Sequence, residues 1–277
     1  MKIASLEEVT AKIVGAGAVS IRNVDSKEEP FVYSTGNRGP GYVMVKGLVG
    51  QPEVLLFLTR NLAYKVIEQA EFEFIEGNAT GGMIPGWQLR NDVSDILGRQ
   101  IPFCYLRGSR KEGGHGELIT GNSNNPLIKP GMKALVVEEL VNYAGTTGNA
   151  AEEFRAAGYL VSNAACILSY DHQQSNARLK EKGITLIPLI KLPELLEIAG
   201  ANGLIPAKAV DSYKQFLADP LEWQLMRNLV VPTDSAKKAI ERGYFMRELS
   251  AKEALEKGAP DGKIKEGVVY WMQNGKE

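Results

Sequence analysis

The sequence predicts an α/β fold: a mainly parallel sheet flanked by helices, with a small N-terminal hood and a C-terminal helical extension. Up to about Gly200, short apolar runs alternate with segments of helical period, the pattern of strands joined by right-handed crossovers. Beyond that point, residues 201–277 read as helices broken by Pro206, Pro220, Pro232 and Pro260, with a terminal strand around residues 268–272. The expected division is therefore a domain of residues 1–200, hood included, and an extension of residues 201–277. With 277 residues, 44% of them apolar and 23% charged, there is ample material for a large core.

Composition also excludes. A formal net charge of −1 leaves no footprint for nucleic acid or an anionic membrane. No apolar run is long enough to span a bilayer, and Met1-Lys2-Ile3 does not open a signal peptide. Cys104 and Cys166 lie in apolar, strand-like runs and read as buried free thiols, which suits a cytoplasmic protein. Neither an internal repeat nor a low-complexity tract is present.

In chain order, residues 6–14 read as a helix through Leu6, Val9, Ile13 and Val14. A polar stretch, 23–30, leads into F-V-Y-S-T-G-N-R-G-P-G-Y-V-M-V, where strand formers mix with Gly and Pro and predict a hairpin or a pair of extended loops. Residues 51–69 form the next helix on Val54, Leu55, Leu58, Leu62, Val66 and Ile67. A strand over 72–76 ends in G-N-A-T-G-G-M-I-P-G, a side-chain-poor turn that lets backbone approach an anion, with Pro85 where a helix can start. The strand at 101–107 then runs into G-S-R-K-E-G-G-H-G-E. Arg107, Arg110, Lys111 and His115 crowd among glycines there, in a loop that cannot pack a core but can close over an anion, although a solvated charge run has the same composition.

The chain is organised around residues 133–158, K-A-L-V-V-E-E-L-V-N-Y-A-G-T-T-G-N-A-A-E-E-F-R-A-A-G. An apolar run ends in the paired carboxylates Glu138 and Glu139, passes through a Gly/Thr turn and enters an Ala/Glu-rich helix closed by Gly158. N–H groups at the helix start, the hydroxyls of Thr146 and Thr147, and little bulk at Ala144 and Gly145 make a cradle for phosphate. Two carboxylates beside it repel phosphate and so face sugar hydroxyls or a ligand-bound Mg²⁺. A phosphorylated sugar satisfies both halves; an ordinary βα turn is the plainer reading of this stretch alone. Further on come a strand at 159–170, a helix at 175–182, a strand at 184–190 and a short helix at 192–198.

These residues resemble a known family. Apolar strand, acidic pair, two residues and a small-residue turn resemble the PRPP-binding signature of type I phosphoribosyltransferases, where Asp is usual in the pair and Thr is usual at the position of Tyr143. Within that family the orotate branch is the most similar. Residues 35–42, T-G-N-R-G-P-G-Y, resemble its S-G-R-x-S-P-x-[YF] segment, with Ser34 standing where a Lys is usual and Tyr42 keeping the aromatic. The turn at Thr80, Gly81 and Gly82 resembles its pyrophosphate loop, and the basic loop resembles its R-K-x-x-K-x-H-G loop, with His115 one residue early. The Asp-Arg pair of that branch, whose Arg grips the substrate carboxylate, is matched by Asp171-His172.

The resemblance implies transfer of ribose 5-phosphate from Mg²⁺-bound PRPP to a nucleobase, orotate first, with pyrophosphate leaving. Glu138 and Glu139 would hold the ribose and any protein contact to Mg²⁺, and Asn142, Tyr143, Ala144, Gly145 and Thr146 the 5-phosphate. Thr80, Gly81 and Gly82 would line the pyrophosphate; Arg107, Arg110, Lys111 and His115 would close over it, Lys111 being the candidate for the chemical step. Tyr42 and His172 would meet the base. A homodimer is implied, its basic loop reaching into the neighbour's site. Two alternatives stay open: another nucleobase, because of Ser34 and His172, and a PRPP-binding regulator, because of Tyr143 and the altered basic loop.

Overall fold

The computed structural model describes residues 3–108, 118–122, 125–259 and 270–276. The chain begins with α1 (Leu6–Gly15), then β1 (Val19–Ile21), β2 (Phe31–Val32), β3 (Arg38–Gly39) and β4 (Gly41–Val43). Next come α2 (Pro52–Gln69), β5 (Phe74–Asn78), α3 (Met83–Leu97), β6 (Phe103–Leu106), β7 (Ile119–Thr120), β8 (Lys133–Val141) and α4 (Gly145–Ala156). They are followed by β9 (Leu160–Ser169), α5 (Gln173–Glu181), β10 (Thr185–Lys191), α6 (Leu192–Ala201), α7 (Ala207–Ala218) and α8 (Pro220–Met226). Last are β11 (Val231–Pro232), α9 (Thr233–Glu241), β12 (Tyr244–Glu248), α10 (Ala251–Glu256) and β13 (Tyr270–Lys276).

Two compact units result: Met1–Ala18 with Met44–Ala199, and Val19–Val43 with Gly200–Glu277. The first is the predicted α/β body. Its sheet runs β10-β9-β8-β5-β6-β7, parallel throughout except for β7, which pairs antiparallel with β6. The central strands are buried on both faces, as a helix-covered parallel sheet requires. Phe74, Val136, Phe154, Ala164 and Cys166 share one core cluster, and Tyr159 meets Phe74 edge-on at 5.1 Å. Burial pushes the thiols of Cys104 and Cys166 up, so both are inert packing groups.

Local rules explain the helix ends. Ser5 and Glu8 form a reciprocal capping box on α1. α2 starts on Pro52 and buries Leu55, Leu58, Leu62 and Val66, one stripe at helical spacing. α4 closes as expected: Gly158 sits at φ 89°, with Tyr159 N–H donating to Phe154 O and Gly158 N–H to Arg155 O, both at 3.0 Å. The Phe154 and Tyr159 rings, 5.7 Å apart, complete that Schellman end.

The second unit joins the segment read as a hood to the C-terminal extension. Its β2–β3 pair is antiparallel, as the hairpin reading implied, and β1, which lies outside the stretch so read, pairs antiparallel with β4. Residues 200–277 are less purely helical than expected, because β11, β13 and β12 form an antiparallel sheet. The core of this unit is aromatic: Trp223 stands edge-on to Phe216 at 5.5 Å and donates Nε1–H to Ser212 Oγ at 3.0 Å. No helix among the described residues is long and apolar enough to cross a membrane.

Candidate active site

Strand β8 continues to Val141, so the acidic pair lies inside the strand rather than past its end. Alternation along a strand sends the two carboxylates to opposite faces. Glu138 is buried, at 6% exposure, and its Oε1 accepts from Asn78 Nδ2 (2.7 Å), Thr146 Oγ1 (2.8 Å) and Thr147 Oγ1 (3.5 Å). Burial pushes this carboxyl up to about 7 against the pull of those donors. Glu139 is half-buried and also raised by burial, with Lys46 opposing. A third carboxyl, Glu76 on β5, is fully buried; burial drives it well above the carboxylate range, and the neighbouring Glu138 adds to the rise.

The turn after β5 is shaped to fit against Glu139. A Cβ on Gly81 would stand 2.0 Å from the Glu139 carboxyl, and one on Gly82 would stand 2.1 Å from Val137 O. Both positions are glycine because β8 occupies the space a side chain would need. Gly82 N–H donates to Asn78 O at 2.8 Å, and the Ala79–Thr80 peptide is cis. Thr80 is exposed at the tip.

The turn after β8 places Ala144 in the left-handed region (φ 56°, ψ 22°) and starts α4 at Gly145. The first N–H groups of α4 have no acceptor within the helix and so keep their capacity for an anion. The hydroxyls of Thr146 and Thr147, read from sequence as phosphate ligands, turn instead to Glu138. Asn142 and Tyr143 are exposed, and Arg178 donates to Tyr143 O at 2.7 Å.

At the end of β9, His172 precedes α5 and its ring stacks on Tyr143 (centroids 5.0 Å, 13°) and on Tyr170 (5.3 Å, 26°). Burial lowers its pKa, with Asp171 opposing, so the imidazole is neutral at physiological pH. Asp171 is held at φ 57° and pairs with Lys191 at 3.1 Å. Two of the residues that depart from the family pattern, Tyr143 and His172, are thus in contact with each other.

Arg110, Lys111 and His115 lie outside the described residues. Arg107 is half-buried at the end of β6; its N–H donates to Leu118 O at 2.9 Å and its Nε has no hydrogen-bond partner among the described residues. Tyr42, on β4 of the second unit, is 42% exposed with its ring 5.5 Å from Phe31. Sequence reasoning missed Asn78, Lys46 and Tyr170. Asn78 alone left a signal, a polar residue closing a buried strand.

Among the described residues no group of three or more metal-ligating side chains gathers. Mg²⁺ is usually held by one or two carboxylates together with substrate phosphates. Of the acidic pair, Glu139, opposite Gly81, is the carboxylate with fewer side-chain donors on its oxygens.

No protein-family model matches the chain. It is 31% identical over 198 residues to the orotate phosphoribosyltransferase of Listeria monocytogenes, covering 70% of this chain and 88% of that protein. With the enzyme of the same name from Streptococcus sanguinis it is 28% identical over 218 residues, covering 77% and 98%. Among solved structures, the UMP synthase of Leishmania donovani superposes with a TM-score of 0.61 at 21% identity, over 78% of this chain and 42% of that longer protein, a likeness of fold.

Proposed function

The chain belongs to the orotate phosphoribosyltransferase family, and on that premise we propose that it joins orotate to the ribose 5-phosphate of PRPP, with pyrophosphate leaving. The observation that carries this reading is the pairing of two side-chain-poor turns at the ends of adjacent strands, β5 and β8, bridged by Glu138. PRPP carries an anionic group at each end of its ribose, and each turn suits one of them.

A base nitrogen attacks C1 of the ribose, its proton passing to the departing pyrophosphate or to water, while the bond from C1 to the diphosphate oxygen breaks. The electron pair of that bond leaves with pyrophosphate, and positive charge gathers on the ring between the two events. Glu139 steadies that charge and holds ribose hydroxyls. Ala144, Gly145 and Thr146 present backbone N–H to the 5-phosphate, with Asn142 and Tyr143 at its rim. Thr80, Gly81 and Gly82 line the diphosphate, and Arg107, Arg110, Lys111 and His115 neutralise it as it departs. Mg²⁺ would be held by the phosphates of PRPP together with Glu139, with Glu138 behind it, and would supply charge screening for the leaving diphosphate. Tyr42 stacks on the base, and His172 donates to its carboxylate.

The test is pyrophosphate release from PRPP and Mg²⁺ with orotate, uracil and other bases. Release with orotate, falling on the order of 100-fold or more in Lys111→Ala, is the expected result. Release with another base only would move the substrate, a reading supported by the neutral His172, which lacks the two-pronged grip of Arg on a carboxylate. Silence with every base while PRPP still binds would make the chain a PRPP-binding regulator.

The working assembly is a cytoplasmic homodimer. Ile84 and Trp87, three positions apart on α3 and 52% and 50% exposed, give it an apolar contact face. Sedimentation should show a dimer that Trp87→Glu shifts toward monomer; an unshifted dimer would place the interface elsewhere.

A further inference from the structure

The extension beyond residue 200 is not absorbed by the chemistry above, yet several of its elements converge on one short segment, residues 34–42. Asn37 Oδ1 accepts from Gln224 Nε2 (3.3 Å, α8) and from Ser235 Oγ (2.8 Å, α9). Gln224 Oε1 in turn accepts from Arg38 N–H at 2.7 Å, and Arg38 Nη2 donates to Lys257 O at 2.8 Å. Below the strand, a Cβ on Gly39 would meet the Phe216 ring at 2.7 Å, and one on Gly41 would meet the Tyr213 ring at 2.3 Å, both on α7. The segment is pressed against the extension so closely that only glycine fits at those two positions. Gln224, 1% exposed, uses its carbonyl on Arg38 and its amide on Asn37 and Pro220 O.

Left to themselves, residues 31–43 have little to hold them. β2 and β3 are two residues each, and a hairpin that short is not stable alone in water. A segment that must be ordered by its ligand takes that ordering cost from the binding free energy. A segment already fixed by neighbours does not.

We infer that the C-terminal extension is a positioning cradle for the base-binding segment, with Gln224 as its positioning residue. The inference rests on the proposed function for its assignment of residues 34–42 to the base. Gln224 touches no substrate. It fixes the Asn37 side chain and the Arg38 backbone, and through β4 the stance of Tyr42, so that affinity for the base depends on the extension while affinity for PRPP does not.

The experiment uses the full-length chain with Gln224→Met, which keeps the side-chain length and removes both polar atoms, and Ser235→Ala, a single-bond change that leaves the core filled. Amide hydrogen exchange over residues 34–43 is read beside separate KM values for orotate and PRPP. Gln224→Met is expected to speed exchange and raise the orotate KM about tenfold, with the PRPP KM within about twofold; Ser235→Ala should shift both readouts the same way by roughly threefold. Both KM values rising together, or faster exchange with an unchanged orotate KM, would overturn the cradle while leaving the enzyme reading intact. If the wild type releases pyrophosphate with another base, that base replaces orotate in the measurement. A wild type silent with every base overturns both.

Discussion

Gly82→Ala is expected to cost about 3 kcal/mol or more of stability and to abolish PRPP binding in whatever folds. Intrinsic propensity points the other way. Gly82 has φ −78° and ψ −12°, ordinary right-handed helix values at the start of α3, where Ala is favoured over Gly by roughly 0.5–1 kcal/mol. What decides is the neighbour: the new Cβ would lie 2.1 Å from Val137 O and 3.0 Å from the Asn78 backbone, atoms fixed in two paired strands that cannot swing aside. Gly81→Ala makes the informative contrast. The atoms nearest its Cβ are the end of the Glu139 side chain, which can rotate away, so stability should change by about 1 kcal/mol or less while turnover falls. Chemical unfolding of both variants beside pyrophosphate release checks this; equal stability losses would mean that the turn yields as a whole and that the carbonyl contact is not decisive.

That contrast shows what a sequence can carry. The two small-residue turns were legible because glycine answers a local demand, room for backbone, which the string itself displays. The alternation of strands and helices was legible for the same reason, since periodicity is local. The buried Glu138 was not. An apolar run that meets two carboxylates reads as a strand ending, whereas β8 carries the pair inward because Asn78, 60 residues earlier, and two threonines of the next helix receive one of them. Thr146 and Thr147 were read as phosphate ligands on residue type alone, and their hydroxyls are taken up by that carboxylate. The segment at 34–42 was assigned to the first 200 residues by order in the chain, yet Arg38 is tied to Gln224, 186 residues away. Tyr143 and His172 each stood out as departures, but their stacking depends on where the ends of β8 and β9 fall, which no residue type announces.

The same geometry separates the two members of the acidic pair, which the sequence treats as equivalents. Glu139→Gln should lower kcat by about 10²–10³, the usual loss when one charge-stabilising group is removed from a reacting centre. Glu138→Gln should lower it far less, since a glutamine oxygen still accepts from Asn78, Thr146 and Thr147. The bond network joining the pyrophosphate turn to the phosphate turn then survives without its charge. Stability supplies an independent readout. The Glu138 carboxyl is raised from 4.5 in the free side chain to about 7 in the fold, so the folded state binds its proton more tightly than the unfolded state does. Its contribution is complete below the unfolded value and is lost as pH climbs through the folded one, a span worth roughly 3 kcal/mol. Thermal midpoints of the ligand-free protein should therefore fall between pH 5 and 8 by on the order of 5–10 °C more than those of Glu138→Gln, which has no proton to lose. Parallel curves for the two proteins would mean that Glu138 is ionised and solvated in the fold. A kcat loss in Glu138→Gln as deep as that of Glu139→Gln would move it from the scaffold of the site to its chemistry.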